Sequence, residues 1–300
     1  MMLAVLAPHV KWFTDPKPYP TDYSLLLTTP LFAAYAIAGA AVGVAWLIQH
    51  RLPEPRILRR LECFAGLAPL ALRLHLGIAL VVAAAAGMLF VPSLRPERDA
   101  LGLSILAAEA LCGAWLLIGR GARYAALALA LLGVVAMEPF SFESILEQVH
   151  ILGIAVFLFL VRRGDPETYA ALTLLRVAMG FGIAYGALTE KLLDPALARA
   201  FIAEHPFVNV LASVGVGDGQ FAYLAGLTEF VIGVVIVSGQ LTRPVIAIGA
   251  VLFTITLPVF GWSELLGHLP YFGIMFALFL APSPDPRRVR RQLREGRIAA

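Results

Sequence analysis

Several ionisable residues stand where an apolar chain has least use for them. Glu229 interrupts LAGLTEFVIGVVIVSGQLTR, residues 224–243, and Arg176 interrupts LLRVAMGFGIAYG, which leads on to Glu190 and Lys191. Glu264 and His268 are spaced i,i+4 in FGWSELLGH, and Glu147 and His150 i,i+3 in FESILEQVH. On a helix either spacing puts both side chains on one face. Ionisable groups held in lipid mark ion, proton and headgroup sites. A histidine titrating near about pH 6.5 can hydrogen-bond a carbonyl oxygen or pass it a proton. A lysine ammonium is a charge-assisted donor to the same oxygen. We therefore expect Lys191, His268 and Glu264 as the catalytic set, with Arg176, Glu229 and Glu190 holding a bound headgroup. No metal is expected. ExxH pairs serve di-iron bundles only with further carboxylates at matching depth, and the sequence offers none.

The elements that must position these residues are membrane helices. The chain is 60% hydrophobic and 14% charged, where a soluble domain is about half apolar and a quarter charged. Its mean hydropathy is +0.83. Apolar runs of spanning length recur along it, so an all-α polytopic membrane protein is expected. Nine spans are expected, at roughly 25–48, 67–91, 101–118, 122–138, 143–161, 168–191, 222–238, 242–260 and 268–281. Arg51, Arg56, Arg59, Arg60, Arg120, Arg123, Arg162, Arg163 and Arg243 follow odd-numbered spans. The positive-inside rule then puts the N-terminus outside the cell (inner) membrane and the C-terminus in the cytoplasm. The basic tail PRRVRRQLREGR suits anionic inner-leaflet lipid, so the net charge of +3 is not a nucleic-acid signal. The N-terminal segment lacks the basic start and cleavage site of a signal peptide. Cys63 and Cys112 form no CxxC. No phosphate loop, dinucleotide fingerprint or catalytic triad stands out, and no nucleic-acid partner is expected.

The chain also repeats itself. Glu109, Gly113, Gly119 and Arg123 recur 120 residues later as Glu229, Gly233, Gly239 and Arg243, and Gly153 recurs as Gly273. Upstream the offset is 103, from Arg73 and Gly77 to Arg176 and Gly180. The difference marks an insertion in the outer segment 192–221, where Asp194 and Pro195 predict a short helix over 195–204. The expected units are 1–66 (outer segment, first helix and basic linker), a four-helix module over 67–166, a second over 167–282, and a basic tail over 283–300. An even number of spans per module makes the repeats parallel. Glu229 lies about 10 Å and Arg176 about 12 Å into their spans at 1.5 Å per residue. A lone charge there costs on the order of 3 kcal/mol, so Arg176 is expected to pair with Glu229 and Arg73 with Glu109. Such a pair serves either as a clamp or as the wall of a polar cavity. Haem is not expected, because neither His150 with His268 nor His50 with His75 aligns under the repeat.

The second module resembles the DoxX/DoxD-type four-helix membrane proteins. The resemblance rests on Arg176, Gly186 and Lys191 in LLRVAMGFGIAYGALTEKLL, then on Glu229, Gly233, Gly239, Thr242 and Arg243. It covers 172–281 well and 69–161 loosely, since Met88 replaces the lysine and Ala122 the threonine in the first copy. The family includes the quinone-linked small subunit of a thiosulfate oxidoreductase. The resemblance therefore implies a subunit of a respiratory or redox complex that binds quinone and docks an electron-donating partner. A non-catalytic membrane anchor and a small-molecule transporter are the alternatives.

Overall fold

The computed structural model describes residues 11, 13, 14, 21–52, 54–161 and 167–281, without the side chains at 141, 167–169 and 259. The basic tail over 283–300 lies outside the described residues. Those described fold as eleven α-helices: α1 Thr29–Arg51, α2 Arg56–Arg60, α3 Ala68–Ala85, α4 Ala100–Ile118, α5 Ala122–Val135, α6 Met137–Leu146, α7 Val149–Leu160, α8 Glu167–Ala187, α9 Pro195–Glu204, α10 Asp218–Ser238 and α11 Thr242–Leu280. Seven stretches are long and apolar enough to cross a membrane: Thr29–Arg51, Arg56–Ala85, Ala100–Ile118, Ala122–Phe140, Ala170–Leu192, Asp218–Ser238 and Phe260–Leu280. The chain is a multi-pass membrane protein. Val149–Leu160 and Thr242–Pro258 are apolar but shorter, and they account for the difference from the nine expected spans.

Glycines set the closest helix contacts. A Cβ on Gly77 would lie 2.9 Å from the Gly113 carbonyl oxygen, and one on Gly180 would lie 2.6 Å from that of Gly233. Only glycine lets α3 meet α4, and α8 meet α10, at that distance, and close backbone approach is what drives helix association in lipid. The expected module boundary near 166 does not separate two cores. One continuous core takes Leu72 and Leu76 from α3, Leu129 from α5, Phe157 from α7, Met179 from α8 and Ile274 from α11. Helix α7 packs on α8, and α11 packs on α3. Their closest points are again glycines. A Cβ on Gly153 would meet the Ala178 methyl at 2.4 Å, and one on Gly273 would meet the His75 Cβ at 2.8 Å.

Three boundaries depart from the expected spans. Helix α3 stops at Ala85 rather than near residue 91. Gly87 (φ 71°) and Phe90 (φ 64°) turn the chain back, burying Met88, Leu89, Phe90, Val91 and Leu94. A left-handed Phe90 costs about 1–2 kcal/mol, a strain the burial of this loop sustains. Helix α6 ends at Leu146 and α7 starts at Val149, so Glu147 and His150 flank a helix break instead of sharing one face. Conversely, the expected loop at 261–267 is helical, and α11 continues through a kink at Gly261 (φ 68°, ψ −146°). Glu264 and His268 therefore do sit one turn apart.

The connecting segments sort to two ends. At one end the Asp22 amide donates to the Leu193 carbonyl (2.9 Å), and Thr21 donates to Glu143 (3.1 Å). Helix α9 starts where Asp194 and Pro195 predict, with the Asp194 carboxylate accepting the Leu197 amide at 2.9 Å. Burial pushes the Asp194 carboxyl above its usual range, against that amide bond. At the other end the Leu241 amide donates to Gln49 (2.6 Å). Arg243, counted above as a loop charge, is buried there. It donates to Glu54 (2.8 Å) and the Ala281 carbonyl (2.5 Å), with Glu62 at 3.6 Å.

Candidate functional site

The expected arginine–glutamate pairs do not form. Arg176 donates to the carbonyls of Ile236 (2.7 Å) and Val237 (2.6 Å) at the end of α10. Arg73 donates to those of Leu116 (2.9 Å) and Leu117 (3.4 Å) at the end of α4. The last carbonyls of a helix have no donor within it, and in lipid no water supplies one. A long arginine stem reaches them by snorkelling towards the helix end. Glu229 lies seven residues before Ile236, about 10 Å deeper. Each helix then ends on a left-handed glycine, Gly119 (φ 82°) or Gly239 (φ 78°). A Cβ there would lie 1.9 Å from an Arg73 nitrogen or 2.7 Å from an Arg176 nitrogen. Arg176 is thus a helix cap, remote from the other expected site residues.

Those others gather at the opposite end of the bundle. Helix α8 finishes in a wider π turn, Leu188–Leu192, that carries Thr189, Glu190 and Lys191, all buried. Such turns redirect side chains and concentrate at functional sites. Here the turn swings Lys191 into the protein, where its ammonium forms an ion pair with Glu229 on α10. Lys191 therefore does not snorkel out to the interface; its charge is met inside. The Thr189 hydroxyl donates to Tyr185 O (3.0 Å) and lies 3.2 Å from the Glu147 carboxylate. Glu147 in turn holds Lys11 from the N-terminal segment. Burial pulls the Lys11 ammonium down, but Glu147, Glu190 and Glu143 outweigh it and raise it above its usual range.

An aromatic and imidazole ladder borders this cluster. The Tyr271 ring stacks on His150 at 3.9 Å, and Phe253 stacks on His268 at 4.2 Å. Phe253 meets Tyr271 edge-on at 5.6 Å. Gly182 makes room for it, since a Cβ there would lie 2.9 Å from the Tyr271 hydroxyl. Glu190, Glu147 and Glu229 are all within electrostatic reach of that hydroxyl. Glu264 is fully buried, accepts the Thr256 hydroxyl (2.7 Å) and lies 3.4 Å from His268 Nδ1. So the structure joins Lys191, Glu190 and Glu229 in one group and Glu264 with His268 in a second, with Tyr271 between them.

Lys11, Thr189, Thr256 and Tyr271 were not singled out in the sequence. Thr256 and Tyr271 carry a weak signal, a hydroxyl inside an apolar run. Lys11 carries none, because its partner is 136 residues away. In the first half Glu109 is fully buried without a lysine. One carboxylate oxygen accepts the Phe90 amide at 2.7 Å, and the other meets no partner among the described residues. Among the described residues no group of three or more His, Cys, Asp or Glu side chains is placed to hold a metal ion. His50 and His75 each place a ring nitrogen 2.8 Å from a carbonyl of their own helix.

Comparison with family models, with curated proteins and with solved structures finds no match.

Proposed function

We propose that this chain is the membrane subunit of a redox complex, with the polar cluster as the place where a quinone headgroup exchanges protons. The observation that carries the reading is the buried arrangement around Tyr271. A phenol stacks on one imidazole and lies within electrostatic reach of three carboxylates. Reduction of a quinone to its quinol takes two electrons and two protons. A docked partner subunit would supply the electrons. His268, held by Glu264, is positioned to pass a proton, and Lys191 with Glu229 and Glu190 to orient the ring. The resemblance of 172–281 to the DoxX/DoxD-type proteins points the same way.

The module arrangement follows as part of the proposal. Two four-helix halves descend from a duplication and have exchanged their fourth helices. Three pairs of contacts at matched positions support this: the arginine caps, the Gly77–Gly113 and Gly180–Gly233 approaches, and the Gly153 and Gly273 contacts. The N-terminus faces outward and the C-terminus the cytoplasm, placing the cluster near the outer surface of the inner membrane.

The test is purification of the full chain in mild detergent, extraction and quantification of bound quinone, and identification of co-purifying proteins. His268→Gln should lower quinone retention without lowering the melting temperature. Quinone no higher than in a mock preparation would sink the reading. A plain anchor is the second reading, favoured because Lys191 and Lys11 are each neutralised by a carboxylate. An anchor would keep its partner in the His268→Gln variant and show no quinone.

A further inference from the structure

The segment that joins α1 to α3 sorts its charges. Arg51, Arg56, Arg59 and Arg60 stand among Glu54 and Glu62, so the stretch is only mildly basic as a sequence. In the structure both glutamates turn inward to the buried Arg243, at 2.8 Å and 3.6 Å. The arginines stay outside. Arg56, Arg59 and Arg60 are exposed and, among the described residues, form no ion pair. Their i, i+3, i+4 spacing sets three guanidiniums on one face of α2.

The surroundings of that face fix the kind of partner it suits. Helix α1 and the Arg56–Ala85 stretch are both apolar enough to cross a membrane. The segment between the two apolar helices cannot stand off from the bundle, because Glu54 and Glu62 tie it to Arg243 and residues 61–67 pack on α11. It is held at the level where α1 ends. Apolar side chains are exposed beside the arginines, Ile57 at 71% and Phe64 at 51%. Water gains nothing from such a mixture. A lipid interface takes both parts, the apolar groups at the acyl boundary and the cations among the phosphates. The guanidinium fork also matches the geometry of a phosphate.

We infer that this face of α2 binds the headgroups of anionic phospholipid in the leaflet around it. The interaction is independent of the redox reading, and its chemistry is the same whichever side of the membrane that end faces. Each arginine near an anionic bilayer surface is worth about fivefold in affinity. Arg243 makes the site selective by holding two carboxylates away from it, since a glutamate released among the arginines would neutralise part of the face. Arg120 and Arg123 serve as the control. They are exposed at the same end of the bundle, where Arg73 of α3 caps α4, but lie outside α2.

The experiment offers purified full-length protein equal amounts of phosphatidylglycerol and phosphatidylcholine in one detergent, and counts the retained lipids by native mass spectrometry. Wild type should keep phosphatidylglycerol over phosphatidylcholine by about tenfold. The triple change Arg56→Gln, Arg59→Gln, Arg60→Gln should retain the two lipids equally, with an unchanged melting temperature in lipid-free detergent. Arg59→Gln alone serves if the triple variant does not fold, and should cut the preference about fivefold. Arg120→Gln with Arg123→Gln should leave the preference close to wild type. Equal retention of both lipids by wild type overturns the inference. So does a preference that survives the α2 variants. A preference that the Arg120 and Arg123 changes abolish equally also overturns it, because the selectivity would then belong to the charge of the whole end. An acidic protein that co-purifies with wild type and is lost from the α2 variants, without any lipid preference, would assign the face to that protein and overturn the inference too. Each of these failures leaves the quinone measurement untouched.

Discussion

Lys191→Met tests how the cluster is held together. The Lys191 side chain is 3% exposed and that of Glu229 13%. Removing one partner of a buried ion pair costs about 3–5 kcal/mol, because the other is left buried and uncompensated. The residual exposure of Glu229 places this case near the lower figure, about 3 kcal/mol. At about 2–4 °C per kcal/mol for chains of this size class, the melting temperature should fall by roughly 10 °C. One comparison suggests a milder outcome. Under the proposed duplication Met88 stands at the matching position, and there Glu109 is tolerated because the Phe90 amide binds it. The second half has no such rescue. The same proposal matches Phe90 with Leu193, 103 residues on, and the Leu193 amide is already given to the Leu188 carbonyl at 2.8 Å.

The double change Lys191→Met with Glu229→Leu removes both charges and should recover most of the loss. Thermal unfolding of the four proteins in one detergent gives the coupling directly, and it should reach at least about 2 kcal/mol, well beyond the scatter for independent sites. Two results would refute the reasoning. One is a single variant that melts within a degree or two of wild type. The other is a double variant whose loss equals the sum of the singles.

Arg176→Leu and Glu229→Leu should add within about 0.5 kcal/mol, since one caps a helix end and the other binds Lys191; strong coupling in the same unfolding assay would restore the discarded pair. Gly119→Ala should cost more than Gly239→Ala, because the new methyl meets arginine nitrogens at 1.9 Å rather than 2.7 Å, with both above the roughly 1 kcal/mol of left-handed strain alone; equal melting temperatures would contradict it. Asp194→Ala should cost about 1 kcal/mol by uncapping α9, whereas Asp194→Asn keeps the cap and should be neutral or stabilising near neutral pH. The sign follows from burial: a folded-state pKa raised above the unfolded value of about 3.9 favours folding below that pH and is lost as pH rises through the folded value. The asparagine variant should therefore lose less stability than wild type between acid and neutral pH, as measured by unfolding at each pH. In a Cys63→Ser background, cysteine at the exposed Phe207 should react with an impermeant reagent in intact cells and cysteine at the exposed Arg120 should not; the reverse pattern inverts the proposed orientation.

What the sequence made legible depended on how local the determinant was. Glycines mark the closest helix contacts, because a position that admits only a backbone neighbour leaves its mark on one residue: Gly77 and Gly180 meet the carbonyls of Gly113 and Gly233. Asp194 followed by Pro195 foretold α9 for the same reason. The arginines were misread because depth was measured at their Cα atoms. A guanidinium works at the end of a long stem, and the free carbonyls of a helix terminus outbid a carboxylate two turns deeper. The partner of the lysine was missed too. It was expected to donate to a bound headgroup, but the extra residue of the π turn rotates it inward onto Glu229. Which helices α7 and α11 pack against lay beyond reach altogether, since Gly153 and Gly273 mark close packing without saying against which helix. That last ambiguity bears on function. With α7 packed on α8, His150 of α7 meets the Tyr271 ring of α11, so the cluster draws on residues far apart in the chain. The stacked pair therefore exists only once α7 and α11 are both in place, and neither stretch separately should reproduce it.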